Sequence, residues 1–142
     1  MRVVEAGGFF ELSPAPELVT GVRVDTSLVL MLVGPGSVGL LIRIEAPFRL
    51  RDGRLIHEVH PGDTSTVAPV LSLIRRRVSR LRAARDGRLL ANFEGGMAIE
   101  VEADGPFESW HITVTGGPML IGGPDRTISV FDGAVSERPT TH

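Results

Sequence analysis

Val78-Ser79-Arg80-Leu81-Arg82-Ala83-Ala84-Arg85-Asp86-Gly87-Arg88-Leu89-Leu90-Ala91-Asn92-Phe93-Glu94-Gly95-Gly96-Met97-Ala98-Ile99-Glu100-Val101 is the stretch that decides the fold. Its β-type runs, 78–84, 89–93 and 97–103, are separated by Asp86-Gly87 and Gly95-Gly96. Such dipeptides supply the positive φ that primed hairpin turns need, so the runs read as consecutive antiparallel strands. A fourth run, 109–114, follows Asp104-Gly105-Pro106 and carries the only tryptophan, Trp110. The segment 78–114 therefore predicts a four-stranded, arginine-rich meander.

The flanks extend this pattern. Residues 1–19, with Gly7-Gly8, Phe9-Phe10, Pro14 and Pro16, predict a short strand and a loop lying on the core. Residues 20–25 alternate as a strand. Leu28–Val33 is continuously apolar and reads as buried on both faces. Residues 34–39 form a glycine-rich loop, 40–46 a returning strand, and 48–50 with Leu55–Val59 a hairpin around Asp52-Gly53. Asp63-Thr64-Ser65-Thr66 offers capping side chains before 67–74, where Val67, Val70, Leu71 and Ile74 make one apolar helical face. Strands at 119–121 and 127–131 close the pattern around Gly122-Gly123-Pro124-Asp125. The expected architecture is α+β: mostly antiparallel meander and hairpins, with one short helix packed on one face. It fills a single domain, residues 1–132, ahead of a flexible polar tail at 133–142.

Composition narrows the function. A chain of 142 residues with net charge −2 is one domain whose bulk charge selects no partner. The absence of cysteine removes disulfides, thiolate catalysis and cysteine-built zinc sites, and fits a cytoplasmic protein. Every basic residue is arginine, which reads as the bias of a GC-rich bacterial genome. The N-terminus meets Glu5 and Gly7-Gly8 before any apolar run, unlike a signal peptide, and no run nears the roughly 18 apolar residues of a membrane helix.

Four features could carry chemistry. Gly34-Pro35-Gly36-Ser37-Val38-Gly39 fits G-x-G-x-x-G, but Leu40-Leu41-Ile42 continues as strand. The helix that would present its N-terminus to a phosphate is missing, so a plain hairpin loop is the reading. His57, His60 and His111 could hold a metal or a small ligand, with Glu58 or Asp63 completing the set. However, positions three apart on a strand point to opposite faces, and H-E-V-H is one residue short of H-E-x-x-H. Solvated or loop-capping imidazoles are favoured, and no metal or other cofactor is expected.

Arg75, Arg76, Arg77, Arg80, Arg82, Arg85 and Arg88 stand against Asp86 alone within residues 75–88. Cross-strand pairing with the acidic strands, a protein-partner surface and nucleic-acid contact are the three readings. The segment lacks the exposed aromatics on which single-stranded bases stack, which argues against nucleic acid. Trp110 reads as core or as an interface anchor. No nucleophile or acid–base constellation stands out, so no catalytic residue is assigned and an enzyme is not expected.

Several pieces together resemble a known family: Ala46-Pro47-Phe48, Val67-Ala68-Pro69-Val70-Leu71-Ser72-Leu73, Gly87-Arg88-Leu89-Leu90-Ala91-Asn92-Phe93, Gly96-Met97-Ala98-Ile99-Glu100-Val101 and Phe107-Glu108-Ser109-Trp110-His111-Ile112. The chain is similar, over roughly 20–131, to small, mostly actinobacterial proteins of unknown function. They carry an aromatic-Glu-x-Trp strand and a later Gly-Gly turn. Gly122-Gly123-Pro124 replaces the usual Pro-Gly-Gly order, and Phe131 stands where tryptophan is common. Proteins of this kind resemble immunity proteins. That resemblance implies a non-enzymatic module that occludes a toxin-like protein encoded nearby, through Arg75, Arg76, Arg77, Arg80, Arg82 and Trp110 or through the loop 34–39. A small-ligand or metal-binding domain using His57, His60 and His111 is the alternative.

Overall fold

The computed structural model describes residues 1–131; the expected tail at 133–142 lies outside them. Among the described residues, thirteen strands form two antiparallel sheets packed face to face. The first sheet runs, in spatial order, β1 (Arg2–Ala6), β2 (Phe9–Ser13), β8 (Val78–Ala84), β9 (Leu89–Phe93), β10 (Met97–Val101), β6 (Phe48–Asp52) and β7 (Leu55–Val59). The second runs β13 (Ile128–Phe131), β12 (Met119–Gly122), β11 (Trp110–Val114), β5 (Gly39–Ile44), β4 (Leu28–Val33) and β3 (Leu18–Val24).

Alternation along the strands builds the core. Leu89, Ala91 and Phe93 on β9 and Met97, Ile99 and Val101 on β10 are buried, whereas the residues between them face outward. Leu30 and Leu32 on β4, Leu40, Ile42 and Ile44 on β5, and Trp110 and Ile112 on β11 meet them from the second sheet. Val78 and Leu81 are three residues apart yet both buried. A bulge between Val78 and Arg80 absorbs the odd residue, so Arg80 and Arg82 both reach the outer face.

The mostly antiparallel β architecture with a short helical segment near residues 67–74 is as expected, and four details differ. First, the meander is three strands long. β10 pairs with β9 and β6, whereas β11 pairs with β5 and β12, so Asp104-Gly105-Pro106 sits in a crossing from one sheet to the other. Second, the helical segment is a 3-10 helix, Ala68–Leu73, in which side chains three apart eclipse. Val70 and Leu73 are therefore buried while Leu71 is 54% exposed. Third, the expected strand and loop at the N-terminus are a hairpin, β1–β2, turning through Gly7 (φ 61°) and Gly8 (φ 83°). Fourth, the sheets are joined along one side by a backbone seam. Val19 N–H donates to the Arg76 carbonyl, Arg75 N–H to the Val19 carbonyl, and Val78 N–H to the Glu17 carbonyl.

Trp110 ties the sheets at another point. Its indole is fully buried, and Nε1–H donates to the Gly87 carbonyl, 2.8 Å away, in the β8–β9 turn. Bare backbone at Gly122 gives the ring its space, because a Cβ there would run into the indole.

Candidate functional site

An antiparallel sheet covered on one side presents the alternate residues of every strand on the other. On the first sheet this gives two neighbouring cross-strand rows. One reads Glu11, Arg82, Leu90, Glu100, Arg49 and Glu58 across β2, β8, β9, β10, β6 and β7. The other reads Arg80, Asn92, Ala98, Arg51 and Ile56. Between them lies a depression of about 370 Å³, walled by Arg49, Arg51, Arg82 and Glu100 around Leu90, Asn92, Ala98 and Ile56.

The arginines of this face divide by what already holds them. Arg80 grips Glu11 side-on through one edge of its guanidinium, Nε donating to Oε2 at 3.1 Å and Nη2 to Oε1 at 3.0 Å. That hydrogen bond holds the Glu11 carboxyl below its ordinary value; partial burial opposes it, and the charges of Arg80 and Arg82 reinforce it. Arg49 lies 3.6 Å from both Glu100 and Glu102, and Arg88 reaches Asp86 and Glu100. Arg82 and Arg51 stand differently: among the described residues neither has a carboxylate within 4.0 Å. The Arg82 guanidinium lies 4.3 Å above the Phe9 ring, and its Nε is buried without a hydrogen-bond partner. Beyond Arg49 the face turns acidic, with Glu58, Glu100, Glu102 and Asp104 around a second depression.

The structure thus separates the residues singled out in the sequence. Arg80 and Arg82 share the outer face. Arg75, Arg76 and Arg77 belong to the seam instead. Arg76 donates to the carbonyls of Ser72 and Glu94, and Arg77 N–H donates to Glu94 Oε1. Trp110 faces the core, so it offers no surface to a partner. Glu11, Arg49 and Arg51 went unnoticed in sequence because they lie on strands far from residues 75–88 and join the face only through pairing. Their one visible signal was charge at alternate positions, Arg49 and Arg51, inside a short hairpin run.

The histidines do not converge. His57 sits on β7 opposite Leu50, His60 in the following loop, and His111 on β11 of the other sheet, with Nε2 2.7 Å from Glu108 Oε1. Among the described residues no group of three His, Asp or Glu side chains could hold a metal ion. The loop 34–39 contains a 3-10 turn, Pro35–Ser37, and runs directly into β5, so it carries no phosphate-facing helix. Also among the described residues, no helix is long and apolar enough to cross a membrane.

No curated protein and no solved structure matches the chain. Residues 12–132 do match a family model, so the match leaves out β1, begins inside β2 and takes in β3 to β13. The chain belongs to that family, described as a family of unknown function, DUF6188.

Proposed function

We propose that the protein is a non-enzymatic binding module that neutralises a toxin-like protein partner. In this reading it lays the outer face of the seven-stranded sheet over the partner's working site, in the manner of an immunity protein. One observation carries it: the face sets two arginines without carboxylate partners among the described residues, Arg51 and Arg82, beside the outward side chains of Leu90 and Ile56. Charge without an internal partner steers an acidic surface into place, and the apolar neighbours give buried contact once it arrives. A sheet held on its inner face by the core is a rigid platform, so little ordering cost attends binding. A partner covering about 800 Å² of this face would make an interface of ordinary size.

The test is co-expression. Each product of the adjacent genes is expressed alone and together with this chain. One product is expected to arrest growth alone, to be tolerated with the chain, and to co-purify with it one to one. Harmless neighbours, none of which binds, would remove the reading.

A further inference from the structure

We infer that the free edge of the seven-stranded sheet pairs with the same edge of a second copy of this chain, β7 against β7, antiparallel and centred on Ile56. β7 ends the strand order and, among the described residues, has β6 alone beside it. Gly53 N–H donates to the Gly96 carbonyl, on the β10 side of β6. Asp52 therefore turns its main-chain groups to β7, where Leu55, His57 and Val59 meet Asp52, Leu50 and Phe48. The main-chain groups of Ile56 and Glu58 point the opposite way, into the open edge. Further along, His60 N–H shares their direction but is already taken by Thr66 Oγ1. The open part of the edge thus runs from Arg54 to Glu58, and it carries two largely exposed apolar side chains, Leu55 at 63% and Ile56 at 53%.

Charge and the cap on His60 select the occupant and the register. A two-fold axis at Ile56 sets that residue opposite Ile56 of the second copy, where the pair exchanges two main-chain hydrogen bonds and joins its side chains. The same register sets Arg54 opposite Glu58 of the second copy, once at each end of the contact. Neither Arg54 nor Glu58 has an opposite charge within 4.0 Å among the described residues. Glu58 stands beside Arg49, and Arg49 beside Glu100, so Arg54 of the second copy continues a row of alternating sign. An axis at His57 would push Arg54 of the second copy against His60, where Thr66 already sits. An axis at Leu55 would leave Glu58 without a partner, and one at Glu58 would oppose like charges. With the axis at Ile56 perpendicular to the sheet, both arginine-rich faces lie on one side, over seven strands from each copy. Self-pairing needs no neighbouring gene product, so it stands or falls apart from the protein-partner reading.

The test is sedimentation equilibrium on the full chain over a range of concentrations, with charge exchanged across the contact. A monomer–dimer equilibrium is expected. Arg54→Glu alone and Glu58→Arg alone set like charges opposite each other at both ends, and each should weaken the dimer about tenfold or more. The double variant Arg54→Glu/Glu58→Arg restores opposite signs and should return the dimer to within about threefold of the unaltered chain. Both positions are exposed. Should a single variant fail to fold, Ile56→Lys, which sets two positive charges at the axis, is expected to abolish the dimer. A chain that stays monomeric at about 1 mM would overturn the proposal and leave the edge to a strand of another protein. So would a dimer that neither single variant weakens, or one that a folded double variant does not restore.

Discussion

Trp110 and Glu11 show how single residues hold this molecule. The Trp110 indole spans from the second sheet to the Gly87 carbonyl of the first, buried on every side. Trp110→Phe leaves that carbonyl without its donor and opens space beside Gly122, so a loss of about 2–4 kcal/mol is expected in urea denaturation. An unchanged midpoint would show that the link does not matter. Glu11 acts through pH. Its carboxyl is held below the ordinary value by Arg80, so its contribution is complete above the unfolded-state pKa and is lost as pH falls through the folded one. Stability should therefore decline below roughly pH 4.3, and Glu11→Gln should flatten that decline in acid-unfolding curves. An equally steep curve in the variant would place the effect elsewhere. The sequence left Trp110 open between core and interface, because an aromatic at an inward position of a strand looks the same in both roles. Its hydrogen-bond partner, 23 residues earlier, settles which it is.

Among the elements, turns were more legible than periods. Gly87, Gly95 and Gly96 all adopt positive φ, a demand of backbone sterics that leaves its mark directly in residue choice. The segment around Pro69 is ambiguous for an equally physical reason. Val67, Val70, Leu71 and Ile74 satisfy a period of 3.6, while Val67, Val70 and Leu73 satisfy a period of 3, and one short segment fits both. The structure chooses the second, which gives a sharp contrast between neighbouring leucines. Leu73→Ala, at a fully buried site, should cost about 2–5 kcal/mol, and Leu71→Ala, half exposed, no more than about 0.5 kcal/mol. Denaturant midpoints of the two variants decide it, and similar losses would restore an α-helical face. The bulge at β8 is a comparable case. Val78 and Leu81 break strict alternation in sequence, and only the register with β9 shows how both are buried.

For the whole molecule, the strands were legible but the sheet each one joins was not. Asp104-Gly105-Pro106 has turn chemistry whether the chain folds back beside β10 or crosses to β5, and the difference rests on contacts with strands more than sixty residues away. The candidate surface was half visible for the same reason. Arg80 and Arg82 could be read from their own strand, whereas Arg49 and Arg51 arrive from β6 through its pairing with β10. The resulting molecule has one outer face rich in arginine and a second sheet whose outer face includes the exposed Leu41. The proposed function assigns partner binding to the first face, and one comparison tests that assignment. Calorimetric titration of the co-purifying neighbour is run against the unaltered chain, Arg51→Glu and Leu41→Glu. Binding weakened at least about tenfold by Arg51→Glu and unaffected by Leu41→Glu is the predicted result. Full affinity in Arg51→Glu, with loss in Leu41→Glu, would contradict it and move the interface to the other sheet.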